Sequence, residues 1–98
     1  MREKTDSVLP GEEILVRGLK ELNAGRVTEE ALLLRIGAAR LAVHGIRIPP
    51  RPEGSSFPED ELYELLSRKH GAEAYGRYNS LLRKLVSLEN ALDAIAKR

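Results

Sequence analysis

Four stretches of the chain carry apolar residues at helical period, separated by breaks marked with glycine or proline. The clearest stretch is the last. From Tyr78 the apolar residues fall at Tyr78, Leu81, Leu85, Leu88, Leu92 and Ile95, alternately three and four residues apart, the a/d pattern of a helix that packs along another helix. The pattern predicts a helix from about Ala72 to Ala96. At 1.5 Å per residue it is roughly 37 Å long, against a radius of gyration of about 13 Å for a compact domain of this size. Such a helix spans the domain or projects beyond it.

The earlier stretches read in the same way. Pro10 suits a first helical turn, Glu12 and Glu13 suit the positive N-terminal end, and Ile14, Leu15, Leu19 and Leu22 form an apolar stripe that ends at Asn23-Ala24-Gly25. Thr28 opens a second helix as N-cap, with Glu29 and Glu30 behind it. Its body, from Leu32 to Val43, is apolar on nearly every side, which predicts one continuous central helix covered by its neighbours, closed by His44-Gly45. Gly37, Ala38, Ala39 and Ala42 are small enough to admit another backbone. The short link from Gly25 to Val27 predicts an antiparallel hairpin.

Residues 46–58 hold four of the five prolines, so an extended strap is expected, with Ile46 and Ile48 touching the core. Ser56 and Glu59 have capping-box spacing and begin a third helix. Its charges follow the helix dipole: Glu59, Asp60 and Glu61 come first, then Arg68, Lys69 and His70, and Gly71 closes it. The expected fold is all-α: a small four-helix bundle-like domain of two helical hairpins joined by a proline-rich strap, with a long C-terminal helix. Residues 1–9 read as a flexible N-terminal arm and residues 10–98 as a single helical domain.

Composition narrows the function classes. The chain has 98 residues, 42% hydrophobic, with one Phe, three Tyr and no Trp, so the core is aliphatic. Net charge is +1 from 16 basic and 15 acidic groups, without the basic excess of a binder that relies on counterion release. With no Cys, disulfides and thiolate metal sites are excluded, and a cytoplasmic setting is expected. No apolar run approaches the ~20 residues of a membrane span.

Candidate chemistry is sparse. The seam Tyr78–Ile95 serves as internal core or as a homodimer contact. Around it Tyr75, Leu82, Ala91 and Ala96 are uncharged and widen the stripe, and Lys84 and Glu89 have the g-to-e′ spacing of a parallel dimer. Arg68, Lys69, Arg77, Arg83 and Lys84, interleaved with Tyr75 and Tyr78, are possible nucleic-acid contacts, although Glu73 can pair with Arg77. A helix-turn-helix centred on Gly37 or on Gly71 fits poorly. His44 and His70 each precede a glycine at a helix end, where carbonyls and the dipole engage them. Arg40 and His44 share a helical face, a pair that can serve ribonuclease chemistry. Glu59, Asp60, Glu61 and Glu64 are explained by their place in and next to a first turn. No catalytic set, metal site or cofactor site is assigned. The expected function is a non-catalytic helical protein–protein interaction module, self-associating through the C-terminal helix, with a possible partner protein. A small nucleic-acid-associated regulator is the alternative, and a helical ribonuclease-like enzyme built on Arg40 and His44 is third.

Overall fold

The computed structural model describes residues 10–50, 53–54 and 56–97. The expected arm at residues 1–9, three positions of the strap (Arg51, Pro52 and Ser55) and Arg98 lie outside the described residues. Within them every regular element is helical: α1 (Glu12–Asn23), α2 (Glu29–Ile36), α3 (Ala38–Val43), α4 (Pro58–His70), a single 3₁₀ turn (Gly71–Glu73) and the long α5 (Ala74–Ala96).

Local chemistry sets the boundaries. α1 begins after Gly11 and carries Glu12 and Glu13 in its first turn. It ends in a Schellman motif: Arg26 N–H donates to the Glu21 carbonyl at 2.8 Å and Gly25 N–H to the Leu22 carbonyl at 3.1 Å. Gly25 has φ 76°, a conformation that a Cβ penalises. The Thr28 side chain caps α2 by accepting from Ala31 N–H at 3.2 Å, and its hydroxyl donates to the Glu21 carboxylate. One threonine thus joins the end of α1 to the start of α2. α3 closes as α1 does, with Ile46 N–H on the Leu41 carbonyl and Gly45 at φ 81°.

Two expectations are corrected here. The central helix is not continuous, because it is interrupted at Gly37, where α2 gives way to α3. A Cβ at Gly37 would stand 2.6 Å from Glu89 Oε2 and 3.1 Å from Leu85 Cδ1, so α5 side chains occupy the space a larger residue needs. The covering is uneven too. Ala31 to Leu34 are buried on four consecutive positions, whereas Ala39, Ala42 and Val43 are exposed. The second correction is the start of α4. Phe57 is the N-cap, with no side-chain cap bond, and Pro58 takes the first turn. The fixed φ of proline and its missing N–H outweigh the Ser56 capping signal.

α1 packs on α2, α4 on α5, and α2 lies against both α4 and α5. The core is Ile14 and Leu22 of α1, Ala31 to Leu34 of α2, Leu41 of α3, Leu62 and Leu66 of α4, and Ala74, Leu85 and Leu88 of α5. Ile46 and Ile48 of the strap pack on its edge. The molecule measures 40 × 30 × 22 Å with a radius of gyration of 14.1 Å. α5, at roughly 35 Å, matches the long axis and acts as the spine.

Close approach between α1 and α2 depends on Gly18. A Cβ there would meet Leu34 Cδ1 at 2.5 Å and the Glu30 carbonyl oxygen at 2.9 Å. Backbone cannot yield as a side-chain tip does. Alanine gains up to ~1 kcal/mol of helix propensity, but overpacking costs ~1–3 kcal/mol. Gly18→Ala is therefore expected to lower stability by up to about 2 kcal/mol in urea denaturation; higher stability would show that the hairpin can open without cost.

Candidate functional site

The seam residues do not share one environment. Leu85 and Leu88 belong to the core, Tyr78, Leu81 and Leu92 pack on its edge, and Ile95 is 49% exposed. Glu89 is buried against Gly37 and bonded to Arg40, so it is not an e′ partner for Lys84. The flank described by Tyr75, Leu82 and Val86 stays open: Tyr75 is 66% and Val86 46% exposed, and Leu82 is half-buried. Val86 extends the flank that Tyr75 and Leu82 begin. A shallow groove of about 470 Å³ runs along it, lined by Asn79, Leu82, Arg83, Val86 and Ser87.

The five candidate nucleic-acid contacts are engaged in different ways. Lys69 Nζ lies 3.6 Å from Glu29, and Arg77 lies 3.6 Å from Glu73, the second as the sequence suggested. Arg83 and Lys84 are successive helical residues and so point about 100° apart. Arg83 lines the open flank, whereas the backbone of Lys84 faces Gly11. Arg68 is exposed near the end of α4.

Arg40 and His44 form the most connected polar cluster. Arg40 Nη1 donates to Glu89 Oε1 at 3.0 Å, and Nη2 donates to Asn90 Oδ1 at 3.1 Å and Asp93 Oδ2 at 2.5 Å. His44 Nε2 donates to Asp93 Oδ1 at 2.8 Å, because a carboxylate only accepts. Helical spacing places Arg40 of α3 beside His44 at its C-cap, and Glu89 with Asp93 on α5. His44 therefore contacts a side chain nearly fifty positions away rather than the carbonyls of its own helix end. His70 stays at the end of α4, before Gly71. The cluster is a clamp: it fixes the short α3 to the spine and gives the buried Glu89 its counter-ion. Both terminal nitrogens of Arg40 already have acceptors. Among the described residues no three His, Asp or Glu side chains converge as a metal site would need, and no helix is long and apolar enough to cross a membrane.

The clamp has an electrostatic signature. Hydrogen bonding to Asp93 raises the pKa of Arg40, and hydrogen bonds from Arg40 and His44 hold the Asp93 carboxyl below its usual range. A depressed carboxyl pKa contributes stability that is present above the unfolded value of about 3.9 and is lost as pH falls through the lower folded value. Asp93→Asn is expected to flatten the acid limb below about pH 4 in thermal melts. An identical acid limb in both proteins would show that the clamp does not contribute.

A second groove lies between α4 and α5. Glu59, Asp60, Tyr63, Glu64 and Ser67 line one side and Tyr75 and Tyr78 the other, enclosing about 590 Å³. Tyr63 and Tyr78 meet edge to face, with ring centroids 5.6 Å apart at 83°, the arrangement that aromatic quadrupoles favour. Burial, then the nearby charges of Glu59 and Asp60, push the Tyr78 phenol above its ordinary pKa. The sequence shows the acidic turn and the tyrosines separately, but their meeting is a product of the α4–α5 turn. A third cleft, under the strap, is lined by Arg35, Ile48, Pro49, Pro50 and Phe57, and among the described residues Arg35 Nη1 is buried without a hydrogen-bond partner. Comparison of the chain with protein-family models, with curated proteins and with solved structures finds no match.

Proposed function

We propose that this chain is a non-catalytic helical interaction module that self-associates through the open flank of α5. The observation that carries the reading is that the apolar arc of α5 is wider than the bundle covers. Leu85 and Leu88 face inward, while Tyr75, Leu82 and Val86, seven and four residues apart, form a second stripe left at the surface. A stripe at that spacing suits the ridges of an identical helix, and a twofold pair is the commonest closed solution. The engagement of Arg40 and His44 with α5 supports a structural role for that pair rather than a ribonuclease one.

The experiment is Val86→Glu. At a half-exposed position a carboxylate costs the free fold little, but inside a helix–helix contact it is buried without a partner. The variant is expected to keep the helical circular dichroism spectrum and to elute from size exclusion as a smaller species than wild type. Co-elution of the two proteins, both folded, would remove the flank from the interface.

A further inference from the structure

All three tyrosines of the chain, which has no tryptophan, line the single groove between α4 and α5. Tyr63 and Tyr78 are held edge to face, yet 41% of Tyr63 remains exposed, and Tyr75 opposite is more open still. Aromatic surface is thus presented to solvent in a chain with little of it elsewhere. Along the α4 side, Glu59, Asp60 and Glu64 are exposed, and among the described residues none of the three has an ion-pair partner. Several carboxylates elsewhere are engaged, Glu89 and Asp93 in the clamp, Glu29 with Lys69 and Glu73 with Arg77, although not all are.

We infer that this groove takes an arginine side chain from a basic segment of a partner protein. Tyrosine ring faces carry negative quadrupole charge and attract a cation within about 6 Å. A guanidinium is planar and weakly hydrated. It stacks on such faces and forks onto a carboxylate, whereas an ammonium holds its water more tightly. Three negative charges without ion-pair partners disfavour an anionic ligand, and an apolar one would desolvate them without return. The field of Glu59 and Asp60 reaches the groove wall, as their effect on the Tyr78 phenol records. The inference rests on the reading of the chain as an interaction module; its groove shares Tyr75 with the flank, but Glu59, Glu64 and Tyr63 lie outside the flank and Val86 outside the groove, so the two can fail separately.

The chain's tyrosine emission comes wholly from this groove, which makes it a local reporter. Full-length protein is titrated with an acetylated, amidated (Gly-Arg)₄ peptide, itself silent in that emission, with (Gly-Lys)₄ and (Gly-Glu)₄ as comparisons. The expected result is a saturable emission change with the arginine peptide and weaker binding of the lysine peptide. The glutamate peptide should not bind, and affinity should fall as salt rises to about 0.5 M. Glu59→Gln/Glu64→Gln, at exposed positions, should weaken binding about tenfold, and Tyr63→Ala by a similar factor. No saturable change up to about 10 mM, equal binding of the glutamate peptide, or unchanged affinity in the folded Glu59→Gln/Glu64→Gln variant each overturns the inference. Sedimentation of the same samples separates the two readings. A dimer that ignores the arginine peptide sinks the groove alone, and a monomer that binds it sinks the flank alone.

Discussion

Leu88→Glu is expected to abolish folding. Leu88 is fully buried in the core, and its Cβ lies where a Cβ on Gly11 would come to 3.3 Å, so the turn that leads into α1 sits against it. A carboxylate there has no partner to take up its charge. Burial either forces it to stay protonated or expels α5 from the core, at a cost of several kcal/mol. Domains of this size have total stabilities of only about 5–15 kcal/mol. Circular dichroism at neutral pH should show lost helix and no cooperative thermal transition. On the sequence alone, Leu88 and Leu92 belong to one seam that serves as internal core or as a homodimer contact. The structure separates them: Leu88 reports on the fold, and the association test moves to Val86. A folded Leu88→Glu protein would mean that α5 is not docked as described.

Leu85→Ala is the second large effect, expected at about 2–5 kcal/mol, the range for truncating a buried leucine. Leu85 is 3% exposed, and its two methyl carbons would stand 3.1 and 3.3 Å from a Cβ on Gly37. It therefore fills the notch where α2 breaks into α3. Two facing backbones restrict collapse around the lost methyls, which favours the upper part of the range. Chemical denaturation gives the value, and a loss under about 0.5 kcal/mol would place Leu85 at the surface. Because Leu85 and Glu89 are one turn apart and both meet Gly37, Leu85→Ala and Arg40→Met are expected to be non-additive.

What the sequence made legible was local. The α1 stripe, the left-handed Gly25, the Thr28 cap, the dipole-ordered charges of α4, the Glu73–Arg77 pair and the long α5 all depend on residues within about one turn of each other, and each stands in the structure where the pattern put it. Apart from the Ser56 cap, which Pro58 overrides locally, what the sequence left unread involves longer range. No periodic signal marks Gly18 as the point where α1 touches α2, since its need for a missing Cβ comes from Leu34 and Glu30. Gly37 looked like one small residue in a helical run until Glu89 and Leu85 came from α5 to fill the space beside it. Arg40 and His44 were visible as a pair, but their acceptors lie about fifty positions away, and only packing brings them together. Tyr75 and Tyr78 read as parts of one helix, with Tyr63 unremarked, because a groove belongs to two helices at once. Functional reading is weak for the same reason: sites are made by long-range juxtaposition, and the chain carries no compact motif that encodes one.

The central claim is that the α5 flank is an interface. Sedimentation equilibrium of the wild-type chain at micromolar concentrations tests it most directly. Pairing through this flank gives a mass near twice the 10.9 kDa of one chain, returning to a single chain in folded Val86→Glu. A wild-type mass of one chain throughout that range would contradict it.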